Sequence, residues 1–388
     1  MSSNTLFAEF TPSTKSEWLA KIDRDLKGRS VEELNWQLPN LDGTLLSISP
    51  FAHAEDLQTA PESLVGKRTS NTWAIGENII VNDDMKVANA LALTGLMGGV
   101  NAPCFVFEHD LPSETALNTL LTDIELDYIA IFLKEKTENR SPLAFLKTLK
   151  NKVEKDGKNA FLLRGGIFYD PFADGRFDVV SATEAVRFAA ENCSDFSVLS
   201  VNAERFFTDS EHVVDELFQT LTAGELYLNK LTNNGLAAEV INAAMSFRFQ
   251  IGVSYFVEIA KLRAFTILWG NVLAAYDCAP IPPVIFASTT DKTFVADPHT
   301  NKIRSTTQAM SAVIGGATQL TLQPTEDSDF GRRIARNVQH LMSMESYLDK
   351  VVDPSAGSYY IETLTNTIAE AVWKGFQISR ISDFKFIP

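Results

Sequence analysis

The sequence contains few cysteines, no long apolar run and no cluster of basic residues. Its three cysteines, Cys104, Cys193 and Cys278, lie far apart, and no two of them form a CxxC pair. Their odd number and wide spacing argue against a disulfide framework and indicate reduced thiols in a cytoplasmic protein. No apolar run reaches membrane-spanning length, and the N-terminus lacks the basic and apolar regions of a signal peptide. We therefore expect a protein that is neither inserted into a membrane nor exported.

Positive charge is also scarce, because 34 lysines and arginines stand against 49 aspartates and glutamates, for a formal net charge of -15. A general nucleic-acid surface needs clustered lysine and arginine, and no such stripe is present. A coenzyme A ligand stays open, since its phosphates need only a few local cations. The five histidines have no local motif support, so no Ser-His-Asp set can be nominated.

Hydrophobic residues make up 45% of the sequence, which is enough for a large core. From residue 72 onward, short apolar runs alternate with helical stretches, a pattern typical of βα units and a parallel sheet. The predicted strands are 72–81, 103–108, 128–132, 161–167, 196–201, 245–250, 283–287 and 319–323. The predicted helices are 84–97, 113–122, 142–154, 182–192, 213–231, 255–276, 306–314 and 329–347. A helix after each strand is the pattern of a closed (β/α)8 TIM barrel, with a doubly wound open sheet as the alternative.

The two ends of the chain lack this alternation. Residues 1–70 are predicted to form an extended arm, whose helix begins at a capping box of Thr14 and Glu17 and runs through Leu26. Such an arm either wraps its own barrel or packs on a partner. The barrel is predicted to occupy residues 71–350. Residues 351–388 are predicted to hold a turn-rich link and a last helix near 363–377.

Residues 246–276 combine a strand with a long apolar helix. Phe256 and the apolar residues after it recur at helical spacing, which predicts one buried stripe. Glu258 and Lys261 lie three apart with the acid first, as in an ion pair on a helix surface. Gly252 occupies the turn from strand to helix, where a residue without Cβ is favoured.

Several short segments match the successive motifs of one known family. They are FVEIAKLRA at 256–264, RSTTQAMSA at 304–312, GGA at 315–317, RIARN at 333–337 and DPSAGSYYIE at 353–362. In sequence and in order these segments resemble the barrel domain of the cobalamin-dependent acyl-CoA mutases, chiefly the methylmalonyl-CoA mutase family. The resemblance covers about residues 15 to 380 and implies a (β/α)8 barrel whose arm takes part in subunit contacts. It also implies that the family's second, flavodoxin-like cobalamin domain is absent from this chain.

The resemblance further implies a substituted catalytic site. Catalytic members of the family carry a Tyr-His pair after the fifth strand, a Tyr at the first, a Gln after the fourth and a His at the eighth. The matching positions here are Glu204 and Arg205 for the pair, then Asn78, Phe168 and Leu322. None keeps the family's residue type, so no catalytic, cofactor-binding or metal-binding residue is nominated. Glu204 and Arg205 are interpreted as an ion pair that fills the opening of the barrel, where catalytic members of the family have their active site.

Two groups that resemble ligand sites are given structural interpretations. The family's cobalt-binding motif is Asp-x-His-x-x-Gly, and the nearest segment, DPHTNK at 297–302, ends in lysine. His299 is therefore expected to be a polar loop residue or an interface histidine. The arginines at 332, 333 and 336 suit a phosphate at a helix start, but an ion pair with nearby Asp329 or at an interface is favoured.

The sequence thus predicts the small, or beta, non-catalytic subunit of this family, or its barrel domain alone. It would work in a heterodimer with a catalytic large subunit, which binds adenosylcobalamin and isomerises methylmalonyl-CoA and succinyl-CoA. One alternative is an active acyl-CoA mutase barrel with its cobalamin domain supplied in trans. Another is a stand-alone module that binds acyl-CoA in the barrel. A narrow axial channel lined by small polar side chains would favour that module, and bulky filling would not.

Overall fold

The computed structural model describes residues 13–57, 70–82, 84–108, 111–136, 140–173 and 176–381, together with Thr11 and Arg68. Within these residues, parallel strands alternate with helices and pair into one continuous sheet. The barrel strands β1 to β8 are Ala74–Val81, Ala102–Phe107, Ala130–Glu135, Arg164–Ile167, Phe196–Ser197 continued by Leu199–Asn202, Met245–Gln250, Ile285–Ser288 and Gln319–Thr321.

The sheet closes on itself through β5. The first piece of this strand, Phe196–Ser197, pairs with β4, and the second piece, Leu199–Asn202, pairs with β6. The two pieces are separated by Val198 alone and therefore act as one strand. At the other side of the ring, β8 lies parallel to β1. The predicted (β/α)8 barrel is confirmed, and the alternative of an open sheet is wrong.

Helices surround the barrel and follow each strand. Helices α1 to α11 are Lys15–Leu26, Met85–Met97, Glu114–Leu120, Leu143–Lys155, Val179–Asn192, Val213–Thr232, Ala238–Ala243, Tyr255–Ala275, Pro298–Gly315, Asp329–Met344 and Tyr359–Ile381. Several begin where a short polar side chain accepts first-turn backbone N–H groups, as Asp84 does for α2 and Ser328 for α10. The helices from α2 to α10 form the outer layer, and α11 packs on α6 and α8.

Some predicted boundaries differ from the structure for local reasons. The strand predicted at 128–132 is β3 at Ala130–Glu135, because a turn occupies the residues before it. The start of the strand predicted at 161–167 is a 3-10 helix, Ala160–Leu162. Helix α9 begins at Pro298 instead of residue 306, because Asp297 caps the amides of His299 and Thr300 and proline suits the first turn.

The described part of the N-terminal arm packs on its own barrel. Helix α1 begins at the predicted capping box. An antiparallel hairpin of Trp36–Pro39 and Leu45–Ile48 follows, and it places Leu38 and Ile48 in the main hydrophobic core. Residues 1–10 and 58–67 of the predicted arm lie outside the described residues. Trp36 and Leu45 are exposed, so a contact with a partner through this hairpin remains a prediction.

Helix α8 is buried on nearly all sides, so its burial extends beyond the predicted stripe, of which four residues are buried: Ile259, Leu262, Trp269 and Leu273. Phe256, which was assigned to that stripe, is half-exposed, whereas Val257, Ala260 and Ala264 on other faces are buried. The helix is covered because α6, α9 and α11 all pack against it. A helix that is apolar all round is typical of the interior of a large domain.

Buried ion pairs fasten the turn before α11 to α8. Nη2 of Arg263 lies 2.8 Å from Oε1 of Glu362, and Nη1 contacts Asp353. The backbone N–H of Gly357 donates to the same Glu362 oxygen at 3.0 Å. Arg263 is only 2% exposed. The turn-rich segment at 353–362 is therefore fixed to the barrel through one arginine.

Two glycines permit close approaches of the backbone. Gly165 in β4 has a φ of 124°, and a Cβ there would overlap the backbone of Ile131 in β3. A Cβ on Gly252 would overlap the side chain of Ser210 and lie 2.8 Å from Oε1 of Glu258. The predicted need for a residue without Cβ at this turn is confirmed, and close packing is its cause.

Candidate functional site at the barrel mouth

A polar cavity of about 200 Å³ opens at the C-terminal ends of the barrel strands. Residues from six strands (β1, β2, β3, β6, β7 and β8) and from the segments after β4, β5, β7 and β8 line it. Its main polar lining residues are Lys134, Glu204, Arg248, Gln250, Gln319 and Thr321. This is the position at which (β/α)8 enzymes carry their active sites.

Aromatic rings form the floor of this cavity. The ring centroids of Phe132, Phe168 and Phe286 lie 4.7 to 5.8 Å apart. Cys104 is buried in the same cluster. At this level the interior of the barrel is packed with bulky side chains and is not a channel lined by small polar ones. By the criterion set out above, this filling counts against a CoA-binding module.

Glu204 lies between two cations at the mouth. One of its oxygens lies 3.7 Å from Nζ of Lys134, and the other accepts a hydrogen bond from the Ser288 hydroxyl at 3.1 Å. Arg248 is 1% exposed, and its guanidinium lies 4.5 Å from the centroid of the Phe168 ring. Burial raises the pKa of Glu204, but the charges of Arg248 and Lys134 and the hydrogen bond from Ser288 outweigh burial and hold the pKa below its ordinary value. The Glu204 side chain is therefore an ionised carboxylate at neutral pH.

Of the five predicted site positions, the structure brings Asn78, Phe168 and Glu204 together around the cavity. Leu322 does not join them. Side chains alternate along an extended chain, and Thr321 faces the cavity, so Leu322 points outward into the main hydrophobic core between sheet and helices. The Leu322 side chain therefore lies outside the cavity, and its match to the family's histidine position remains a prediction.

Arg205 points away from the cavity and does not form the predicted ion pair with Glu204. Its Nη2 donates to a carboxylate oxygen of Asp170 at 2.6 Å, and the Tyr227 hydroxyl donates to the other oxygen. Asp170 is buried in the loop after β4. Glu204 and Arg205 belong to a 3-10 helix, in which consecutive side chains point about 120° apart. One side chain enters the mouth, and the other fastens two loops beside it.

The arginines of α10 bind a carboxylate on β1. Nη2 of Arg332 and Nη1 of Arg336 lie 2.6 Å and 2.7 Å from the two carboxylate oxygens of Glu77. Glu77 is buried and alternates with Asn78, so it faces α10 and not the cavity. The partner of these arginines is thus Glu77 and not the predicted Asp329.

His299 lies in the first turn of α9, not in a loop as predicted. Its backbone N–H donates to Oδ1 of Asp297 at 3.1 Å, as part of the helix cap. No histidine is found among the described residues that line the cavity. In the described part of the chain, no group of three His, Cys, Asp or Glu side chains is placed to hold a metal ion.

A buried triad of charged residues on α6 and α8 lies next to the wall of the cavity. Nζ of Lys261 lies 3.0 Å from Glu216 and 2.7 Å from Glu258, and it donates to the Gln250 carbonyl at 2.8 Å. All three charged residues are at most 1% exposed. The prediction of a surface pair of Glu258 and Lys261 is therefore wrong, because α6 covers this face of α8. Since Gln250 ends β6 and lines the cavity, the ammonium ties the cavity wall to α6 and α8.

The triad predicts a stability that falls as pH rises. Burial raises the pKa of Glu216 to about 7 from 4.5, although Lys261 lowers it, and the charges of Glu258 and Asp215 add to the increase. The folded chain thus keeps a proton that the unfolded chain has already lost. This contribution is fully present below pH 4.5 and lost as pH rises through about 7. We expect the free energy of unfolding to fall by about 2 kcal/mol between about pH 5 and pH 7.

Urea unfolding of the wild type and of Glu216→Gln at both pH values tests this expectation. The variant should lack this part of the pH dependence, whereas Glu239→Gln, at an exposed position on α7, should keep it. An equal pH slope in the wild type and Glu216→Gln would show that Glu216 is ionised in the folded state.

Sequence reasoning missed the two cations of the mouth. Arg248 lies in the alternating strand SFRFQ, where Phe247 and Phe249 face the outer core and Arg248 shares the inner side with Gln250. A charged residue at an inward position near the C-terminal end of a barrel strand was the available signal. Lys134 carries the same signal at the end of β3.

The fold is a (β/α)8 barrel, and the site at its mouth is a cluster of charged residues above a floor of aromatic rings. The chain belongs to the methylmalonyl-CoA mutase family, because the family model described as Methylmalonyl-CoA mutase matches residues 114–382. The family consists of isomerases that generally depend on cobalamin. Among the residues that the structure describes, none of those lining the mouth is a histidine. No described helix combines the length and hydropathy that crossing a membrane requires.

Curated relatives include chains named as small subunits. The methylmalonyl-CoA mutase small subunit of Porphyromonas gingivalis is 35% identical over 96% of this chain and 63% of its own length. The methylmalonyl-CoA mutase of Rhizobium meliloti is 31% identical over 58% of this chain and 32% of its own length. The small subunit of Streptomyces virginiae is 28% identical over 96% of this chain and 64% of its own length. The chain thus spans less than two thirds of each of these relatives.

Among solved structures, a dihydropteroate synthase from Xanthomonas albilineans aligns with a TM-score of 0.42 and 12% identity. The alignment covers 80% of this chain and 98% of that one. This likeness is too low to bear on function.

Proposed function

We propose that this chain is the small, non-catalytic subunit of a methylmalonyl-CoA mutase, or its barrel domain. It would support the isomerisation of methylmalonyl-CoA and succinyl-CoA by a large partner subunit, and that partner would bind adenosylcobalamin. The observation that carries the proposal is the mouth itself, where Glu204 lies between Lys134 and Arg248 above a floor of phenylalanine rings. Relatives named as small subunits support the same assignment.

The charges at the mouth are poorly suited to radical chemistry on an acyl group. Such a reaction needs hydrogen-bond donors aimed at the acyl carbonyl and a site shielded from water. Glu204 is an ionised acceptor at the position that the family resemblance assigns to a tyrosine donor. Phe168, which takes the position of a glutamine, offers a ring to Arg248 and no hydrogen bond.

An active barrel with a cobalamin domain in trans is the second candidate. Arg205 is the residue that would favour it, because a basic group beside the mouth could hold an acyl-CoA. In the structure its Nη2 donates to Asp170, and it does not line the cavity. The small-subunit proposal therefore ranks first.

Reconstitution tests the proposal. This chain alone, a cobalamin-binding mutase chain from the same source alone, and both together are assayed for conversion of methylmalonyl-CoA to succinyl-CoA with adenosylcobalamin. We expect turnover only with both chains, and we expect Glu204→Ala and Arg205→Ala to retain it within about threefold, since neither group would touch substrate. Arg187→Ala, at an exposed position on α5 and outside the arm, is the matched control.

Two outcomes would contradict the proposal. Turnover by the partner chain alone at the full rate would remove any need for this subunit. Loss of turnover in Glu204→Ala or Arg205→Ala while the complex still assembles, as judged by gel filtration, would place chemistry in this barrel. The three cysteines are buried and form no disulfide, which suits a reducing compartment, so the complex is proposed to work in the cytoplasm.

A further inference from the structure

The buried charged triad also holds both ends of the segment that joins β6 to α8, residues 251–254, which we call the joining segment. Before its first residue, Nζ of Lys261 donates to the carbonyl of the last β6 residue at 2.8 Å. At its end, the backbone N–H of Ser254 donates to Oγ of Ser210 at 3.2 Å, and this hydroxyl donates to Oε1 of Glu258 at 2.6 Å. The position of the joining segment therefore depends on the state of the triad.

The joining segment separates the triad from solvent. Val253 is 49% exposed, whereas the three charged side chains of the triad are at most 1% exposed. The backbone lies directly on one carboxylate, since a Cβ on Gly252 would lie 2.8 Å from Oε1 of Glu258. Another side of the triad is apolar, because Nζ of Lys261 lies 5.1 Å from the centroid of the Phe207 ring. An outward displacement of the joining segment would therefore bring water to the triad.

The triad holds one excess negative charge when all its groups are ionised, because two carboxylates face one ammonium. In a dry interior an unpaired charge is costly, and a proton on one carboxyl group removes it. Glu258 accepts from Ser210 and lies 2.7 Å from Lys261, whereas Glu216 lies 3.0 and 3.3 Å from the same ammonium. The proton is therefore assigned to Glu216, and burial raises the pKa of this group to about 7.

The charges that act on Glu216 come from its own helix and from α8. They are Lys261, Glu258 and the neighbouring Asp215. Charged groups on other elements around α6, and the remaining one of α8, pair with other side chains: His212 with Asp209, Glu204 with Lys134, Arg205 with Asp170 and Arg263 with Glu362. The charged residues of α5, α7 and the hairpin turn and the others of α11 are exposed. Within the described residues, the triad and Asp215 thus determine where the proton lies.

We propose that the triad is a proton-operated latch on the joining segment. With a proton on Glu216, the segment stays closed over the triad, and Lys261 supports the cavity wall through the Gln250 carbonyl. After loss of that proton, the excess negative charge favours entry of water, the segment opens, and the support of the wall weakens. An acid whose pKa is higher in the closed state stabilises that state at low pH, and this contribution is lost as pH rises through about 7. The inference does not depend on the proposed function.

Hydrogen exchange of the intact chain, read by mass spectrometry of the peptide that covers residues 251–258, tests the latch at about pH 6 and about pH 8. The rates are corrected for the intrinsic pH dependence of amide exchange. Between these pH values Glu216 changes from about nine-tenths protonated to about one-tenth, so the opening equilibrium should increase about tenfold. Unchanged protection of this peptide would overturn the proposal.

A second peptide, which covers β2 at Ala102–Phe107, separates local opening from unfolding of the whole chain. Both processes expose Glu216, so both become easier as pH rises. A latch opens without unfolding β2, and residues 251–258 should therefore exchange faster than β2 at both pH values. Equal rates in the two peptides would mean that the joining segment opens only when the chain unfolds, and the proposal would be wrong.

Two variants hold the latch in opposite states. Glu216→Gln should keep the segment closed at both pH values, because the amide is neutral and has the size of the protonated acid. Ser210→Ala removes the hydroxyl between Ser254 and Glu258, so exchange of the segment should be fast at both pH values. Glu239→Gln, at an exposed position on α7, is the matched control and should respond as the wild type does. Thermal melting verifies that each variant is folded.

A tenfold pH response that persists in Glu216→Gln would assign the proton to another group and overturn the proposal. If Glu216→Gln does not fold, Ser210→Ala decides, since slow exchange at low pH in that variant would show that the hydroxyl does not hold the segment. The exchange experiment reads one segment of the isolated chain, whereas the reconstitution reads turnover of the complex. A failure of one therefore leaves the other result interpretable.

Discussion

Replacing Arg263 with methionine is expected to lower the free energy of unfolding by about 3 to 5 kcal/mol, the cost typical of breaking a buried ion pair from one side. The arginine is 2% exposed and holds Asp353 and Glu362 together. Methionine fills similar space but removes the cation that pairs with both carboxylates. The loss should also loosen α11, because Glu362 lies in its first turn. Urea unfolding followed by circular dichroism measures the change.

The control for this variant is an arginine that pairs on the surface. Arg29→Met removes the pair with Glu33, in which both side chains are more than half exposed, and it should change stability by less than about 0.5 kcal/mol. Adding Asp353→Asn and Glu362→Gln to Arg263→Met should recover part of the loss, because no buried charge then remains. A loss below about 1 kcal/mol in Arg263→Met would mean that the carboxylates find water or other partners.

Most of the barrel could be predicted from the sequence because its strands and helices obey simple periodicities. β6 was predicted at its observed bounds, since Met245–Gln250 alternates and lies between clear turns. The error at α9 arose because the cap signal of Asp297 and Pro298 was read as part of a loop. Closure of the ring depends on β5 pairing with two different neighbours. No single-sequence pattern encodes that pairing.

The sequence predicts that the site lies at the C-terminal ends of the strands, but it does not predict which individual side chains point into the cavity. Glu204, Phe168 and Asn78 line the cavity, whereas the side chains of Arg205 and Leu322 point away from it. Along an extended strand, neighbouring side chains point to opposite faces of the sheet, which separates Leu322 from Thr321. In the 3-10 helix, neighbouring side chains point about 120° apart, which separates Arg205 from Glu204.

Buried charges were the largest gap between the sequence and the structure. Glu258 and Lys261 have the spacing of a surface pair, and only the packing of α6 and α11 around α8 makes them interior. Helical spacing defines which residues share a face but not what covers that face. The covering comes from elements that are distant in the chain, such as the one that supplies Glu216.

Replacing Lys261 with methionine is expected to cost about 3 to 5 kcal/mol of unfolding free energy at neutral pH, because Glu216 and Glu258 then remain buried without their cation. The Gln250 carbonyl also loses the ammonium that donates to it at 2.8 Å. Lys21→Met, which removes an exposed pair with Asp25 on α1, is the matched control and should have little effect. A triple variant that adds Glu216→Gln and Glu258→Gln should recover part of the stability.

The pH dependence of the Lys261→Met cost distinguishes lost charge pairing from lost packing. Without the ammonium, burial and the charge of Glu258 raise the pKa of Glu216 in the folded state further above its unfolded value. A raised folded pKa gives stability that is present at low pH and lost as pH increases. The destabilisation by Lys261→Met should therefore be smaller at about pH 5 than at about pH 7, because Glu216 takes up a proton in place of the missing cation. An equal cost at both pH values would mean that the lysine acts through its volume and its bond to Gln250.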